Sequence, residues 1–295
     1  MKALELLRTV KELLERSGIE DAIKEAEIII AHCLSIDRLT LYRDNPRISK
    51  GLTKKIDSLV KRREKREPLQ YILGYVDFFE LKIKVGQGVL IPRPETELLA
   101  EEAIKLISKF VLPPPLSPFS KGGMGGFNFL DLCTGSGCLA LKLAKEFPDV
   151  QVYGTDTSDI AIKYAKENAD LNRIKNVIFT KGSLFEPVKD LSFNLIISNP
   201  PYIKTKDIDR LQPEIREWEH REALNGGKNG LAYYKFIISE ARNYLIENGY
   251  LILELGINQA DEIKKIAQDA GLIHISLIKD YAGIDRILVA KTNYR

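Results

Sequence analysis

Hydrophobic positions follow two different periods along the chain. In residues 1–68 they recur every three to four positions, a spacing typical of amphipathic helices. The recurring residues are Leu4, Leu7, Val10 and Leu14, then Ala22, Ala26, Ile29 and Ile30, and then Leu52, Ile56, Leu59 and Val60. From residue 128 onward, short apolar runs alternate with helical patterns, which indicates a mostly parallel sheet with helices on both faces. We therefore expect an α/β domain preceded by a small all-α helical bundle.

The predicted strands of the α/β domain are short and rich in branched apolar residues. They cover residues 129–132, 150–155, 177–180, 193–198, 250–255, 273–278 and 286–290. Helices are predicted at residues 138–147, 159–171, 231–246 and 259–270. A further helix is expected from Glu95 or Thr96 to about residue 110.

A segment with a third pattern joins the two parts. Apolar residues between Tyr71 and Val85, interrupted by Gly74, predict two short strands in a hairpin. The predicted organisation is a helical bundle over residues 1–68, a hairpin linker over 69–91 and the α/β domain over 92–295.

Residues 112–127 differ from the rest of the α/β domain in composition. They are rich in proline, glycine and serine and have no periodicity, so we expect a flexible insert. Neither GKS nor GKT occurs among them, which argues against a phosphate-binding loop.

Composition excludes several classes of protein. The 295 residues are 44% hydrophobic and 29% charged, as in ordinary soluble proteins. Apolar runs are too short to span a bilayer and the amino terminus carries charges, so we expect a cytoplasmic protein. Three cysteines without a CxxC pair and three scattered histidines indicate neither a disulfide framework nor a zinc site.

The charge is distributed unevenly. The formal net charge of +3 argues against extensive contact with nucleic acid. Between Arg47 and Arg66, however, nine basic residues face only Asp57 and Glu64, a local balance of +7. Such a stretch is either a solvated helix face or a contact for a partner with acidic or phosphate groups.

A glycine-containing loop follows the first strand of the α/β domain. It reads DLCTGSG from Asp131 to Gly137 and leads directly into a helix. Glycine lets the backbone approach a ligand closely. A second acidic residue, Asp156, ends the next strand, where it can bind a ribose diol. These features fit NAD and an adenosyl cofactor equally well.

Two details favour the adenosyl cofactor. The dinucleotide pattern GxGxxG would need a third glycine at Ala140, which is absent. The upstream Asp131 resembles the acidic residue of the D/E-x-G-x-G-x-G loop in methyltransferases that use S-adenosylmethionine. That cofactor has no pyrophosphate to be repelled, and its amino group can meet a carboxylate.

A second loop, Asn199-Pro200-Pro201-Tyr202, follows the apolar run 193–198. It belongs at the carboxyl end of a parallel strand, where open α/β sheets bind ligands. Two prolines fix φ and remove two backbone donors, which leaves nearby carbonyls without local partners. With the Asn199 side-chain oxygen, such a carbonyl makes two acceptors suited to an NH2 group. A simple turn is the alternative explanation.

The second loop resembles that of methyltransferases acting on planar amino groups in adenine, guanine or glutamine. Further motifs make the chain similar to the peptide chain release factor glutamine methyltransferases over its whole length. They are Pro68 to Ile72 with Gly74, Leu90 to Glu97 (LIPRPETE), Asp131 to Gly137, Ala223-Leu224 with Gly226-Gly227 and Gly230-Leu231, and Asp280 to Arg286 (DYAGIDR).

This resemblance implies a fold and a reaction. The fold is a class I S-adenosylmethionine-dependent methyltransferase, a Rossmann-like seven-stranded sheet, behind a helical bundle. The reaction methylates the side-chain amide nitrogen, N5, of the glutamine in the Gly-Gly-Gln motif of class I peptide chain release factors. The helical bundle would help dock the release factor, and the basic stretch from Arg47 to Arg66 is a candidate contact.

The resemblance also implies site residues. Catalytic residues would be Asn199, Pro200, Pro201 and Tyr202, which together with Arg93 would also bind the substrate. The cofactor would contact Asp131, Cys133, Thr134, Gly135, Ser136, Gly137, Asp156, Thr157, Ser183, Leu184 and Asn199. The chain departs from the family pattern at three positions, where it has Cys133 for glycine, Ser183 for an acidic residue and His220 for proline.

Three other functions stay open at this point. The same loop serves nucleic-acid amino methyltransferases, which act on a flipped base, although the chain shows neither a target-recognition domain nor a strongly basic cleft. A glutamine methyltransferase for a ribosomal protein differs only in substrate. A non-catalytic adaptor that binds release factor or ribosome would retain the fold without using the loop.

Overall fold

The computed structural model describes residues 1–111 and 126–293 and contains two compact units. The first comprises Met1–Tyr75 and Leu211–Trp218, and the second begins at Val76 and includes the described residues outside those two segments. The insert expected at residues 112–127 lies outside the described residues except for its last two positions. Among the described residues, no helix combines the length and the apolar character needed to cross a membrane.

The first unit is a helical bundle, as predicted. Its helices are α1 (Ala3–Arg16), α2 (Ala22–Leu34), α3 (Arg38–Asp44), α4 (Lys50–Glu64) and α5 (Leu69–Leu73). Their apolar stripes meet in one core that includes the fully buried Leu14, Ile30 and Ile56. The segment Leu211–Trp218 packs with this unit, although it is distant in sequence.

One prediction for the linker is wrong. Tyr71 and Ile72 were expected in a hairpin strand, but both lie in α5. Pro68 precedes the helix with a φ of −53°, a value compatible with a helix start, and Gly74 ends it in the left-handed region at φ +83°. The hairpin is therefore shorter than expected and begins after Gly74, with strands β1 (Tyr75–Phe78) and β2 (Leu81–Lys84).

The basic stretch is partly neutralised within the first unit. Arg62 pairs with Glu67, and Arg63 donates to Glu25 over 2.5 Å. Arg63 and Arg66 also reach Glu214 of the segment Leu211–Trp218, at 2.9 and 2.8 Å. These pairs account for the association of that segment with the helices. The other basic residues of the stretch are exposed: Arg47, Lys50, Lys54, Lys55, Lys61 and Lys65.

The second unit is built on a central sheet. In the described residues its longer helices are α6 (Pro94–Val111), α7 (Cys138–Glu146), α8 (Asp159–Asn172), α11 (Ala232–Tyr244) and α12 (Ala260–Asp269), and α10 (Arg221–Leu224) is short. The short helix α9 (Pro213–Arg216) lies in the segment that belongs to the first unit. The strands are β3 (Asn128–Leu132), β4 (Gln151–Asp156), β5 (Val177–Lys181), β6 (Phe193–Ser198), β7 (Leu245–Glu254), β8 (Ile273–Lys279) and β9 (Asp285–Lys291).

These seven strands form one sheet in the order β5-β4-β3-β6-β7-β9-β8. All neighbours are parallel except β7 with β9 and β9 with β8. The chain runs outward from β3 through β4 to β5 and then returns to β6 on the other side of β3. A ligand crevice is expected at the carboxyl ends of strands at such a reversal. The expected seven-stranded class I fold is confirmed.

Six predicted strands match the structure within one or two residues, and β7 does not. A helix was predicted to residue 246 and a strand from residue 250, but α11 ends at Tyr244 and β7 begins at Leu245. The reason is a pairing between Leu245 and Phe193 across a register shift before the regular ladder. Such an irregular start leaves no period in the sequence.

Candidate active site

Four parallel strands end at the same level of the sheet. Leu132 pairs with both Thr155 and Ser198, and Ser198 pairs with Leu253. The residues that follow these four therefore emerge side by side at one edge. The loops after Leu132 and Ser198, which this register places side by side, follow residues that are 66 positions apart in sequence.

A cavity of about 400 Å³ opens at this edge. Its volume lies in the range of small-molecule and cofactor sites. The predicted site residues that line it are Cys133, Thr134, Gly135, Ser136, Asp156, Thr157, Ser183, Leu184, Asn199 and Pro201. Other predicted residues do not belong to its wall: Arg93, Asp131, Gly137, Pro200 and Tyr202. The lining also includes His220, Glu222 and Tyr233, whose position in the site was not predicted.

Asp156 is held by backbone donors at one side of the cavity. Its Oδ2 accepts from the Gly135 amide at 3.0 Å, and its Oδ1 accepts from the Ser158 amide at 2.9 Å. Burial raises the pKa of Asp156, while these amides oppose the rise. A β-carbon on Gly135 would meet no other atom closer than 4.0 Å, so the backbone leaves open space for a ligand.

Asp131 lies behind the wall of the cavity and is almost fully buried. Its Oδ2 accepts from Thr134 Oγ1 at 2.6 Å and from the Ala140 amide at 3.2 Å. No group in the described residues donates to its Oδ1. Burial raises the pKa of Asp131 to about 7. A buried carboxylate oxygen without a partner suits a cationic group of a ligand.

The other glycine of the loop has a packing role. Gly137 has a φ of +81°, and a β-carbon there would lie 2.9 Å from the Phe179 ring. Cys133, which replaces the usual first glycine, also adopts the left-handed region at φ +57°. That conformation costs a non-glycine residue about 1–3 kcal/mol, which explains why glycine suits the position.

The second loop presents two acceptors. Pro200 and Pro201 are buried, which holds the loop rigid, while Asn199 is partly exposed to the cavity. Asn199 Nδ2 donates to Thr96 Oγ1 at 3.0 Å. Within the residues that the structure describes, no donor reaches Asn199 Oδ1 or the Pro200 carbonyl. Both oxygens therefore keep their capacity to bind hydrogens of a ligand.

The turn that contains Gly226 packs against the second loop. The Gln259 Nε2 group donates to the Tyr202 carbonyl at 3.0 Å. A β-carbon on Gly226 would lie 2.7 Å from Tyr202 Cα and 2.8 Å from the Pro201 carbonyl, so only glycine fits there. The Gly226-Gly227 motif noted in the sequence therefore supports the second loop.

Two polar residues behind the second loop were missed as site residues. The sequence pattern predicts Thr96 only as a possible helix start and Glu254 only as part of the strand over residues 250–255. Thr96 Oγ1 donates to Glu254 Oε2 at 2.8 Å, and both side chains are buried. Burial raises the pKa of Glu254 to about 7. A carboxylate at the end of the run Tyr250 to Leu253 was the signal that could have identified it.

The remaining two predicted residues, Arg93 and Tyr202, are partly buried and hydrogen-bond to neighbouring carboxylates. Arg93 Nη2 donates to both oxygens of the buried Glu219, at 2.5 and 2.7 Å. Tyr202 packs against the core of the sheet, and its hydroxyl donates to Glu254 Oε1 at 3.3 Å. A contact of either side chain with a substrate stays a prediction.

Comparison with known proteins covers both units. Residues 5–74 match the PrmC N-terminal domain, and residues 125–287 match a methyltransferase domain. A release factor glutamine methyltransferase from Thermodesulfovibrio yellowstonii is 47% identical over 98% of both chains. The chain belongs to the release factor glutamine methyltransferase family. A further member, from Geobacter sulfurreducens, is 41% identical over 93% of this chain and 91% of its own.

A solved structure adds support for the fold. A methyltransferase from Pyrococcus furiosus covers 73% of this chain and 91% of its own, with a TM-score of 0.51 and 21% identity. At this identity the likeness concerns the fold alone. Membership in the glutamine methyltransferase family makes the chain an S-adenosylmethionine-dependent enzyme. The unpartnered Asp131 oxygen and the open space beside Gly135 fit that cofactor.

Proposed function

We propose that this chain methylates the side-chain amide nitrogen of the glutamine in the Gly-Gly-Gln motif of class I release factors. The observation that carries this proposal is the pair of unpartnered oxygens, Asn199 Oδ1 and the Pro200 carbonyl, at the edge that holds the cofactor cavity. A primary amide has two N–H groups, and the two acceptors match them in number and polarity.

The second loop, Asn199 to Tyr202, is called the acceptor loop from here on, and its residues act by positioning the substrate amide. An amide nitrogen is a weak nucleophile because its lone pair is delocalised into the carbonyl group. When Asn199 Oδ1 and the Pro200 carbonyl accept its two hydrogens, the nitrogen is held with one face toward the cavity, which supplies an orientation advantage. As positive charge develops on the nitrogen, both hydrogen bonds strengthen, and this difference lowers the barrier.

Different residues of the cavity are proposed to bind different parts of the cofactor. Asp156, held by the Gly135 amide, is proposed to bind the ribose diol, and Asp131 the amino group. S-adenosylmethionine supplies a methyl group bonded to a positively charged sulfur. Thr157, Ser183 and Leu184 line the part of the cavity proposed for the adenine. A serine at position 183 replaces a charged acceptor by a neutral one.

The helical unit is proposed to dock the release factor. Because Arg62, Arg63 and Arg66 are engaged in ion pairs, the candidate contact narrows to the exposed residues of the stretch. These are Arg47, Lys50, Lys54, Lys55, Lys61 and Lys65. We propose a protein substrate rather than a nucleic acid, and a cytoplasmic location in keeping with a role in translation termination.

The test is transfer of a labelled methyl group from S-adenosylmethionine to a purified class I release factor. We expect label on the release factor and none on a variant whose Gly-Gly-Gln glutamine is replaced by alanine. Label that persists on that variant would refute the proposed acceptor. Label on ribosomal proteins or RNA instead, with none on release factor, would favour the corresponding alternative enzymes.

A further inference from the structure

Behind the acceptor loop, a buried chain of hydrogen bonds ends at the Asn199 carboxamide. We propose that Thr96 and Glu254 are positioning residues that hold this carboxamide with its oxygen, and not its nitrogen, toward the acceptor amide. The inference rests on the proposed function, because it assigns a reason for the orientation of Asn199 in that reaction.

This chain of hydrogen bonds consists of two direct contacts. Asn199 Nδ2 donates to Thr96 Oγ1 at 3.0 Å, and Thr96 Oγ1 donates to Glu254 Oε2 at 2.8 Å. Thr96 is 3% exposed and Glu254 is 1% exposed, so little of either side chain is open to competing water. Thr96 and Asn199 both line the cavity, whereas Glu254 lies behind them.

The donor-to-acceptor direction of both hydrogen bonds follows from the Glu254 carboxylate. An ionised carboxylate can only accept hydrogen bonds, so it takes the single hydroxyl proton of Thr96. The Thr96 oxygen is then left as an acceptor toward Asn199. Only the NH2 group of Asn199 can satisfy it, since the carboxamide oxygen would face a second acceptor. The negative charge of Glu254 therefore determines the orientation of Asn199 through two successive hydrogen bonds.

Neighbouring groups keep Glu254 in place. Tyr202 donates its hydroxyl to Glu254 Oε1 at 3.3 Å, and the Tyr234 hydroxyl donates to the Glu254 carbonyl at 2.8 Å. The sheet register fixes the position as well, since Ser198 pairs with Leu253 immediately before Asn199 and Glu254. The carboxylate is thus an anchored end of the chain, which gives the orientation a rigid origin.

The alternative orientation would disable the site. A reversed Asn199 would present its NH2 group to the NH2 group of the substrate, so two donors would meet without an acceptor. Loss of the Thr96 hydroxyl leaves the carboxamide free to reverse. The rate of transfer should then fall roughly tenfold to hundredfold, as for loss of one preorganised polar contact.

The experiment measures single-turnover methyl transfer to the release factor at saturating cofactor. Because burial raises the pKa of Glu254 to about 7, the assay is run at about pH 8, where the side chain is ionised. Thr96→Val removes the hydroxyl at nearly constant volume, and Thr96→Ala does so without crowding should valine disturb the fold. Thr96→Ser keeps the hydroxyl and should restore a rate close to wild type.

A double-mutant cycle separates positioning from a merely structural role. If Thr96 acts through Asn199, Thr96→Val should slow the wild-type enzyme but have no further effect in Asn199→Ala. Cofactor affinity, measured by calorimetry, should stay within about twofold because the Asp156 and Asp131 contacts are unchanged. Independent, multiplying losses in the double variant would overturn the proposal.

The outcomes also separate this inference from the proposed function. A wild-type rate in Thr96→Val, together with a strongly impaired Asn199→Ala, would refute the positioning role and leave the function intact. A wild-type rate in Asn199→Ala would refute the role of the acceptor loop itself, and the positioning role would fail with it. Failure of Thr96→Ser to restore the rate would also contradict the inference.

Discussion

The proposed cofactor loop, Asp131 to Gly137, and the proposed acceptor loop, Asn199 to Tyr202, lie at one edge of the sheet but carry different chemical groups. The cofactor side places two carboxyl groups at or just behind the cavity, the buried Asp131 and the partly buried Asp156, and removal from water raises the pKa of both. The acceptor side has two neutral oxygens, Asn199 Oδ1 and the Pro200 carbonyl, that no donor reaches in the described contacts. The carboxylate of Glu254 lies behind these oxygens and is linked to Asn199 through Thr96.

The difference matches the two proposed ligands. The cofactor carries a cationic amino group and a ribose diol, which favour carboxylates. The acceptor is a neutral amide, for which a carboxylate in direct contact would be a costly buried charge without a counter-ion. The account therefore predicts that changes on one side alter cofactor binding and changes on the other alter transfer.

The largest expected effect is on the acceptor side. Asn199→Ala should slow methyl transfer about a hundredfold or more, because one of two preorganised acceptors is lost. Cofactor affinity by calorimetry should change little. The exposed Asn243 offers a matched control, since Asn243→Ala removes the same side chain far from the cavity wall. Turnover near the wild-type value in Asn199→Ala would contradict the mechanism.

The next largest effect is on the cofactor side. Asp156→Ala should weaken cofactor binding roughly tenfold to hundredfold, since it removes charged hydrogen bonds proposed for the ribose. Calorimetric titration measures this directly. Asp159→Ala is the control, because Asp159 is exposed and pairs only with Lys181 in the described contacts. An unchanged cofactor affinity in Asp156→Ala would show that Asp156 does not bind the ribose.

The support beneath the acceptor loop gives a smaller, structural test. Gly226→Ala should slow transfer about tenfold, because the added β-carbon would displace backbone of Pro201 and Tyr202. Gly51→Ala is the control, since a β-carbon there meets only Ser49 Oγ at 4.0 Å. An equal transfer rate in Gly226→Ala and Gly51→Ala would show that the loop does not depend on this turn.

The smallest effect concerns pH. Burial raises the pKa of Asp131 to about 7, so the carboxyl is ionised above that pH and protonated below it. A cationic amino group needs the ionised form, so cofactor affinity should fall roughly fivefold between about pH 7.5 and about pH 6. Asp131→Asn should bind more weakly and lose most of this dependence. A wild-type affinity that rises as the pH falls would contradict the assignment.

The sequence predicted the loops at this edge more successfully than the residues behind them. Strands such as Phe193–Ser198 are buried on both faces, so each appears as a continuous apolar run with a clear end. The loops at those ends could be located, and the register then aligned them. Position along the chain was sufficient to place Asn199 and Asp156 at this edge of the sheet, while their roles in binding stay predictions.

The contacts that were missed depend on packing between distant segments. Thr96 and Glu254 are 158 positions apart and meet only because α6 packs against β7. Glu214 joins the helical unit through Arg63 and Arg66, which no local pattern indicates. Such pairs join segments whose own periodicity is unaffected by the contact, so a single sequence does not reveal them.

Cofactor binding and acceptor positioning are thus proposed to reside in separate loops. The most direct test is the single-turnover transfer rate at saturating S-adenosylmethionine, measured side by side for Asp156→Ala and Asn199→Ala. The account predicts that saturation restores Asp156→Ala to near the wild-type rate and leaves Asn199→Ala about a hundredfold slow. Equal impairment of the two variants at saturation would contradict it.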